Sequence, residues 1–251
     1  MNLSESEGIA LVRQTTSPRT VLVGGQAIAV WARYFDIQSQ VAALTRDVDY
    51  LGSAMDAKSA SANLTFEHKL KIAGLDDGTP NTAVISIALA GHEDPVLIDY
   101  LADVAGPTAS EIKRTAIPIQ SDGVTLKIIH PLLLLQSKMT NLQRFQSKRT
   151  PEGIEQARLA ICIAAKYIGT LVAEKAPQRE ILRAAQSVGR FAATAPAQYA
   201  REEFSLDCLL AVPQSVFEKD VLPAKFHEES WPRLVRAVRG ARRIGLPDPG
   251  R

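Results

Sequence analysis

The chain is short of the features that usually identify a protein at once. It holds two cysteines among 251 residues, Cys162 and Cys208. They are too far apart for a metal or redox motif, and a chain this long needs no disulfide to hold a core. Two unpaired thiols suit a reducing cytosol, so the expected location is cytoplasmic. No long apolar run is present: the longest is Leu159–Ala165, closed off by Arg158 and Lys166. A bilayer span takes about 20 residues, so no membrane partner is expected. Glu5 and Glu7 precede the first basic residue, which is unlike a secretory leader. Nor does either charge dominate. The 29 basic and 27 acidic residues leave +2, which excludes a protein that holds nucleic acid by bulk charge. There is no P-loop and no Gly-x-Ser-x-Gly elbow, and His68, His92, His130 and His227 lack metal-ligand spacing. His130, just before Pro131, reads as a capping or core histidine.

What remains is an ordinary globular composition, 46% hydrophobic and 22% charged. The length allows one large domain or two small ones. The pattern changes near residue 130. Before it, short β-rich runs alternate with turns: Thr20–Val23, Asp47–Leu51, Phe66–Ile72, Ala83–Ala90, Val96–Leu101, Ile117–Gln120 and Val124–Ile129. Asp76-Asp77-Gly78 and Ser121-Asp122-Gly123 read as hairpin turns. Helices are expected at Gln26–Phe35, Asp56–Leu64 and Ser110–Thr115, the first with Ala27, Val30, Trp31 and Tyr34 along one face. After it, helical spacing prevails: Leu132–Phe145, Pro151–Glu174, Gln178–Phe191, Pro196–Leu210 and Trp231–Arg243. The expectation is an α+β fold with a domain over residues 1–130 and a mostly helical domain over 131–251.

Three features carry chemistry. Gly24-Gly25 stands between a strand and a helix. Glycines there let backbone approach a ligand, and the helix N-terminus favours a phosphate. It also reads as a plain strand-to-helix turn. In Asp47-Val48-Asp49-Tyr50, the two carboxylates share one strand face while Val48 and Tyr50 take the other. Two such charges need a hard cation between them, or else water at a strand end. Asp99 sits inside the apolar run Val96–Leu101, where a charge is costly unless it is paired, metal-bound or on an edge. Three carboxylates on adjacent strands can hold two divalent ions, one at an attacking hydroxyl and one at a triphosphate. Asp99 is also a candidate general base.

This order resembles the nucleotidyltransferase superfamily of the DNA polymerase beta type. The segments "VLVGGQAIAVWARYF" and "LTRDVDYLGS" are similar to stand-alone bacterial nucleotidyltransferases, which include AbiEii-type and MenT-type toxins and aminoglycoside nucleotidyltransferases. The resemblance covers residues 18 to 150. It implies a mixed β-sheet flanked by helices and followed by the helical part. It implies Asp47, Asp49 and Asp99 as the catalytic, metal-binding triad, and Gly24 and Gly25 around the nucleotide's triphosphate. It implies Mg²⁺ as cofactor, two ions, with Mn²⁺ as a substitute. Gly24-Gly25 stands where many members have Gly-Ser, so a hydroxyl contact to phosphate is absent. Lys138, in "HPLLLLQSKMTNLQRF", matches a helix-borne lysine of the toxins and is a nucleotide-binding candidate. It equally reads as a snorkelling surface lysine. The next helix offers Glu152, Glu155 and Gln156 where those toxins carry an acid.

The remaining signals are basic. Arg46 flanks the Asp pair and reads as screening it, while Arg144, Lys148 and Arg149 read as a solvated or nucleic-acid-facing patch. Arg233, Arg236, Arg239, Arg242 and Arg243 recur along the tail helix, either as a solvated face or as a face for RNA. The expected activity is transfer of a nucleoside monophosphate from an NTP, ATP among the candidates, to an acceptor hydroxyl. The acceptor is an RNA or tRNA end or a small molecule, and a toxin would add an antitoxin protein as partner. The alternative is a non-catalytic module of the same fold that binds or regulates with a protein partner.

Overall fold

A computed structural model of the chain describes residues 5–37, 47–74, 76–89, 92–121 and 123–240. It divides into two compact units, Met1–Ile163 and Ala164–Arg251.

The first unit is α+β. Its strands are β1 (Val21–Val23), β2 (Val48–Leu51), β3 (His68–Ile72), β4 (Asn81–Ile87), β5 (Val96–Leu101), β6 (Ile117–Ser121) and β7 (Val124–Ile128). They form one sheet in the order β3-β4-β5-β2-β1-β7-β6. The sheet is mixed: β2 runs parallel to β5 and β1 to β7, and the other neighbours are antiparallel. The helices are α1 (Glu5–Thr15), α2 (Gly24–Tyr34), α3 (Ala54–Asn63), α4 (Ala109–Thr115), α5 (Pro131–Arg144) and α6 (Pro151–Ala173), whose last residues belong to the second unit.

Alternation along the strands decides which face is core. In β4 and β5, Ala83, Ile85, Ile87, Val96, Ile98 and Tyr100 are buried, and the residues between them are half-buried. Tyr50 and Tyr100 stack at 5.5 Å on the buried face. Their hydroxyls tie down the end of α1: Tyr100 donates to the Thr15 carbonyl at 2.9 Å, and Tyr50 to that of Val12 at 3.2 Å. The alternation therefore turns Asp49 and Asp99 to the opposite face.

Helix ends follow local chemistry. Ser53 and Asp56 form a capping box on α3, as do Thr108 and Glu111 on α4. His130 accepts the Leu132 N–H on Nδ1 at 3.1 Å, with Pro131 in the first turn of α5. The reading of His130 as a cap holds, and burial depresses its pKa to about 4. Both expected hairpins form, the second with Gly123 at φ +82. Helix α1 escaped sequence reading. The expected face of α2 is shifted: Ala27, Ile28, Trp31 and Ala32 are buried, and Tyr34 is 60% exposed. Tyr34 lies instead edge-on against Trp31 and Phe35.

The second unit holds α7 (Gln178–Ala192), α8 (Ala195–Phe204) and α9 (Trp231–Gly240). The helix expected through Leu210 stops at Phe204, with Ser205 left-handed at φ +57, and resumes as a 3-10 turn at Cys208–Ala211. Gly189 lets α7 approach α9 closely: a Cβ there would meet Trp231 at 3.2 Å. Arg201 donates to the Val238 carbonyl at 2.8 Å and satisfies the last turn of α9. Arg233, Arg236 and Arg239 are exposed, and Arg242 and Arg243 lie outside the described residues. Helix α6 is long and apolar enough, by length and composition alone, to cross a bilayer. The sequence was not expected to hold such a segment. Ala157, Leu159, Ala160, Ile163, Ala164 and Ile168 are all fully buried in the folded protein, as in a core helix.

Trp31 ties α2 to the sheet: it is 2% exposed, and Nε1 donates to the Ile129 carbonyl at 2.9 Å. Trp31→Phe strands that carbonyl and should cost about 1–3 kcal/mol, read as a lower urea midpoint by circular dichroism. An unchanged midpoint would mean that water replaces the indole.

Candidate active site

Strand β1 ends where the chain must turn sharply into α2. Gly24 makes that turn at φ +67, a conformation that L side chains resist. Asp49 explains why no side chain fits there. A Cβ on Gly24 would overlap Asp49 Oδ2 and lie 2.6 Å from Cγ. The Asp49 carboxylate also accepts the Gly25 N–H, a donor at the N-terminus of α2, whose start has no side-chain cap. So the two glycines and Asp49 form one tightly packed corner.

Asp99 lies beside it. The parallel register of β2 and β5 puts Asp49 opposite Asp99, while the antiparallel register of β1 and β2 puts Val23 opposite Asp49. Asp47 precedes β2, and its Oδ1 accepts the Leu97 N–H at 3.2 Å. Asn81 Nδ2 donates to Asp99 Oδ1 at 2.8 Å.

The electrostatics follow from this crowding. Burial raises the pKa of Asp49; Lys138, Lys148 and the Gly25 N–H oppose the rise, and Asp47 adds to it. Burial, then the charges of Asp49 and Asp47, lift Asp99 to about 6, against Lys148 and the Asn81 hydrogen bond. Lys138, on α5, is buried rather than snorkelling. Burial, with Lys148 adding to it and Asp49 opposing it, lowers its pKa to about 8. Its Nζ donates to Gln156 Oε1 at 2.7 Å. Gln156 is thus a hydrogen-bond partner of this lysine.

Lys148, which sequence reading left in a surface patch, belongs to the same charge cluster. It is exposed, on a 3-10 turn (Gln146–Lys148), yet it acts on Asp49, Asp99 and Lys138. Arg149 from the same patch donates to the carbonyls of Leu142 and Gln143, both at 2.9 Å, and so caps α5. Gly153 brings this turn close, since a Cβ there would overlap the Lys148 carbonyl oxygen. Asn81 was missed as well; only its strand register reveals it. Arg46 lies outside the described residues.

Could the residues hold a metal? Among the described residues, no group of three His, Cys, Asp or Glu is gathered as a ligand set. What the structure offers is the pair Asp49 and Asp99, side by side, with Asp47 close enough to raise both pKa values. Such a like-charged pair is relieved by a divalent cation or by a proton.

No family model and no curated protein matches the chain. Among solved structures it is similar to a chain from H. pylori described as a "putative nucleotidyltransferase". The match covers 94% of this chain and 95% of that one, at 15% identity and a TM-score of 0.38. So distant a likeness carries no functional argument.

Two outcomes test the corner. Gly24→Ala should cost about 1–2 kcal/mol for its backbone conformation alone and more for the collision with Asp49. In an Asp49→Ala background the excess should shrink, a coupling of about 0.5–3 kcal/mol in a double-mutant cycle. Strictly additive losses would separate the two residues. Asp99 supplies the second test. Its folded pKa, about 6, lies above the ordinary carboxyl value of 3.8, so the folded state keeps a proton that the unfolded state releases. Stability therefore falls as pH rises through that window. Asp99→Asn should be the more stable protein at pH 7–8 in metal-free buffer, with the advantage gone near pH 4. A melting difference that does not change with pH would contradict the crowded-carboxylate picture.

Proposed function

We propose that the first unit is a metal-dependent nucleotidyltransferase that moves a nucleoside monophosphate from an NTP to an acceptor hydroxyl. The observation that carries the reading is the placing of Asp49 and Asp99 side by side beneath the Gly24-Gly25 turn into α2. Carboxylates, a helix N-terminus and two lysines that act on those carboxylates are the groups a triphosphate and an entering hydroxyl require.

Each group has a role in this reading. The α2 N-terminus and Lys138 bind the triphosphate, Lys138 acting as a buried point charge. Lys148 approaches from the solvent side. Asp49 and Asp99 would hold Mg²⁺, with Asp47 joining them if it exchanges the Leu97 N–H for the ion. When bound, Mg²⁺ supplies positive charge for the triphosphate and for the attacking oxygen. The acceptor oxygen attacks the α-phosphorus, and the bond from that phosphorus to the bridging oxygen breaks. Pyrophosphate leaves with that electron pair, and the hydroxyl proton passes to the carboxylate of Asp99.

The toxin role and an antitoxin partner rest on the resemblance alone and carry no part of the proposal. The non-catalytic alternative draws on one observation, the lack of a gathered three-residue ligand set among the described residues.

The test is a labelling assay. The protein is incubated with Mg²⁺ or Mn²⁺ and each α-labelled NTP, against total tRNA, an aminoglycoside mixture and the protein itself. Label should pass to one acceptor class, and Asp49→Ala should lower the rate by about 10²–10³-fold or more while the protein stays folded. Metal with NTP should also raise the melting temperature of the wild type. Transfer that survives in Asp49→Ala would overturn the role given to Asp49, and the absence of both transfer and metal-dependent NTP stabilisation would leave only the binding-module reading.

A further inference from the structure

Strand register extends the site sideways. Val23, Asp49, Asp99, Val84 and Lys71 stand opposite one another on successive strands, β1-β2-β5-β4-β3. Directly opposed residues share a sheet face. One transverse row thus runs from the Gly24 turn, through both carboxylates, to Lys71. The next row reads Leu97, Ser86, Lys69. Val84, Ser86 and Leu97 are half-buried, and Lys69 and Lys71 are exposed, so this face lies open beside Asp99. Two strand spacings separate Lys71 from Asp99, about 10 Å. A cavity of about 490 Å³ occupies the end of the row, lined by Lys71, Asn81, Val84, Asp77 and Thr79 among others. Asn81 is the residue bonded to Asp99 Oδ1. Asp77, the acid in the wall, accepts the Gly74 N–H at 3.1 Å and serves its own turn.

On the reading of the site as a nucleotidyltransferase, we propose that this face is the acceptor track, and that its occupant is a single-stranded nucleic acid. Its terminal hydroxyl lies at Asp99, and its backbone phosphates pass over β4 to Lys71 and Lys69. The charge pattern favours this class over a polyamine-like acceptor such as an aminoglycoside. A polycation would need carboxylates beyond Asp99, whereas the strands there present two lysines that have no ion pair among the described residues. Ser86, and the cavity above Val84, leave room for a sugar and base. Lysines on an edge strand also guard against edge pairing, and the experiment separates that role from binding.

The test uses the full chain and a short 5′-fluorescein single-stranded RNA with a free 3′ hydroxyl. Lys69→Ala/Lys71→Ala should weaken binding roughly tenfold and flatten the log–log salt dependence by about 1.4, two phosphates at about 0.7 each on a single strand. Lys69→Arg/Lys71→Arg should restore both. In the transfer assay the alanine pair should raise KM for RNA and leave kcat nearly unchanged. Unchanged affinity and salt slope would overturn the proposal and leave the lysines as edge guards. Label found on an aminoglycoside and never on RNA would also overturn it, while nucleotidyl transfer stood. If no acceptor is labelled, the activity reading suffers, and the binding arm still decides whether the track exists.

Discussion

Asp49 and Asp99 lie side by side across a parallel strand pair, and the arrangement of the first unit follows from accommodating them. A carboxylate with little access to water needs donors, and Asp49 finds one in the Gly25 N–H. Reaching it brings the carboxylate so close to the turn that Gly24 has no room for a side chain. The backbone there is left-handed as well, so one position meets two independent demands that only glycine satisfies. Asp99 has one amide hydrogen bond, from Asn81, and burial, then the charges of Asp49 and Asp47, raise its pKa.

The lysines complete the balance. Lys138 is buried and hydrogen-bonded to a neutral amide rather than to an acid. Its positive charge is therefore not cancelled locally and acts on Asp49. Lys148 does the same from an exposed turn that Arg149 and Gly153 hold against the ends of α5 and α6. An acid in place of Gln156 would engage Lys138 and weaken its pull on anything negative in the site. The neutral amide orients the lysine and leaves its field available to an anion.

Much of this was legible in the sequence, and the reason differs by residue. Asp99 stood out because a charge inside an apolar run is costly to bury, and Asp47 and Asp49 because two like charges share one strand face. Gly24 stood out because two glycines end a buried strand. Helix α1 was missed because its buried stripe, Gly8, Leu11, Val12 and Thr15, has helical spacing but only two large apolar side chains to show it. Asn81 and Lys148 were not legible as neighbours of the carboxylates, nor Lys69 and Lys71 as residues of the same sheet face. Asn81, Lys69 and Lys71 gain meaning only from register, which pairs residues far apart in the chain. Lys148 gains it from a turn whose position is set by α5 and α6. The face of α2 was misplaced by about one residue, because a spacing of i, i+3, i+4, i+7 fixes a stripe but not its centre.

The same alternation that builds the core also builds the site. Tyr50 and Tyr100 stack on one face, next in sequence to Asp49 and Asp99 on the other. Their hydroxyls are satisfied by the backbone of α1, so they are anchored rather than merely buried. A slip of one residue in either strand would bring a tyrosine into the cleft and send a carboxylate beneath α1, where the acceptors at Val12 and Thr15 would repel it. Each strand is thus fixed in register by both neighbours in its sequence. The tyrosine makes the correct register favourable, and the aspartate makes the wrong one prohibitive. The two like charges stand side by side because of the same packing that makes the fold unique.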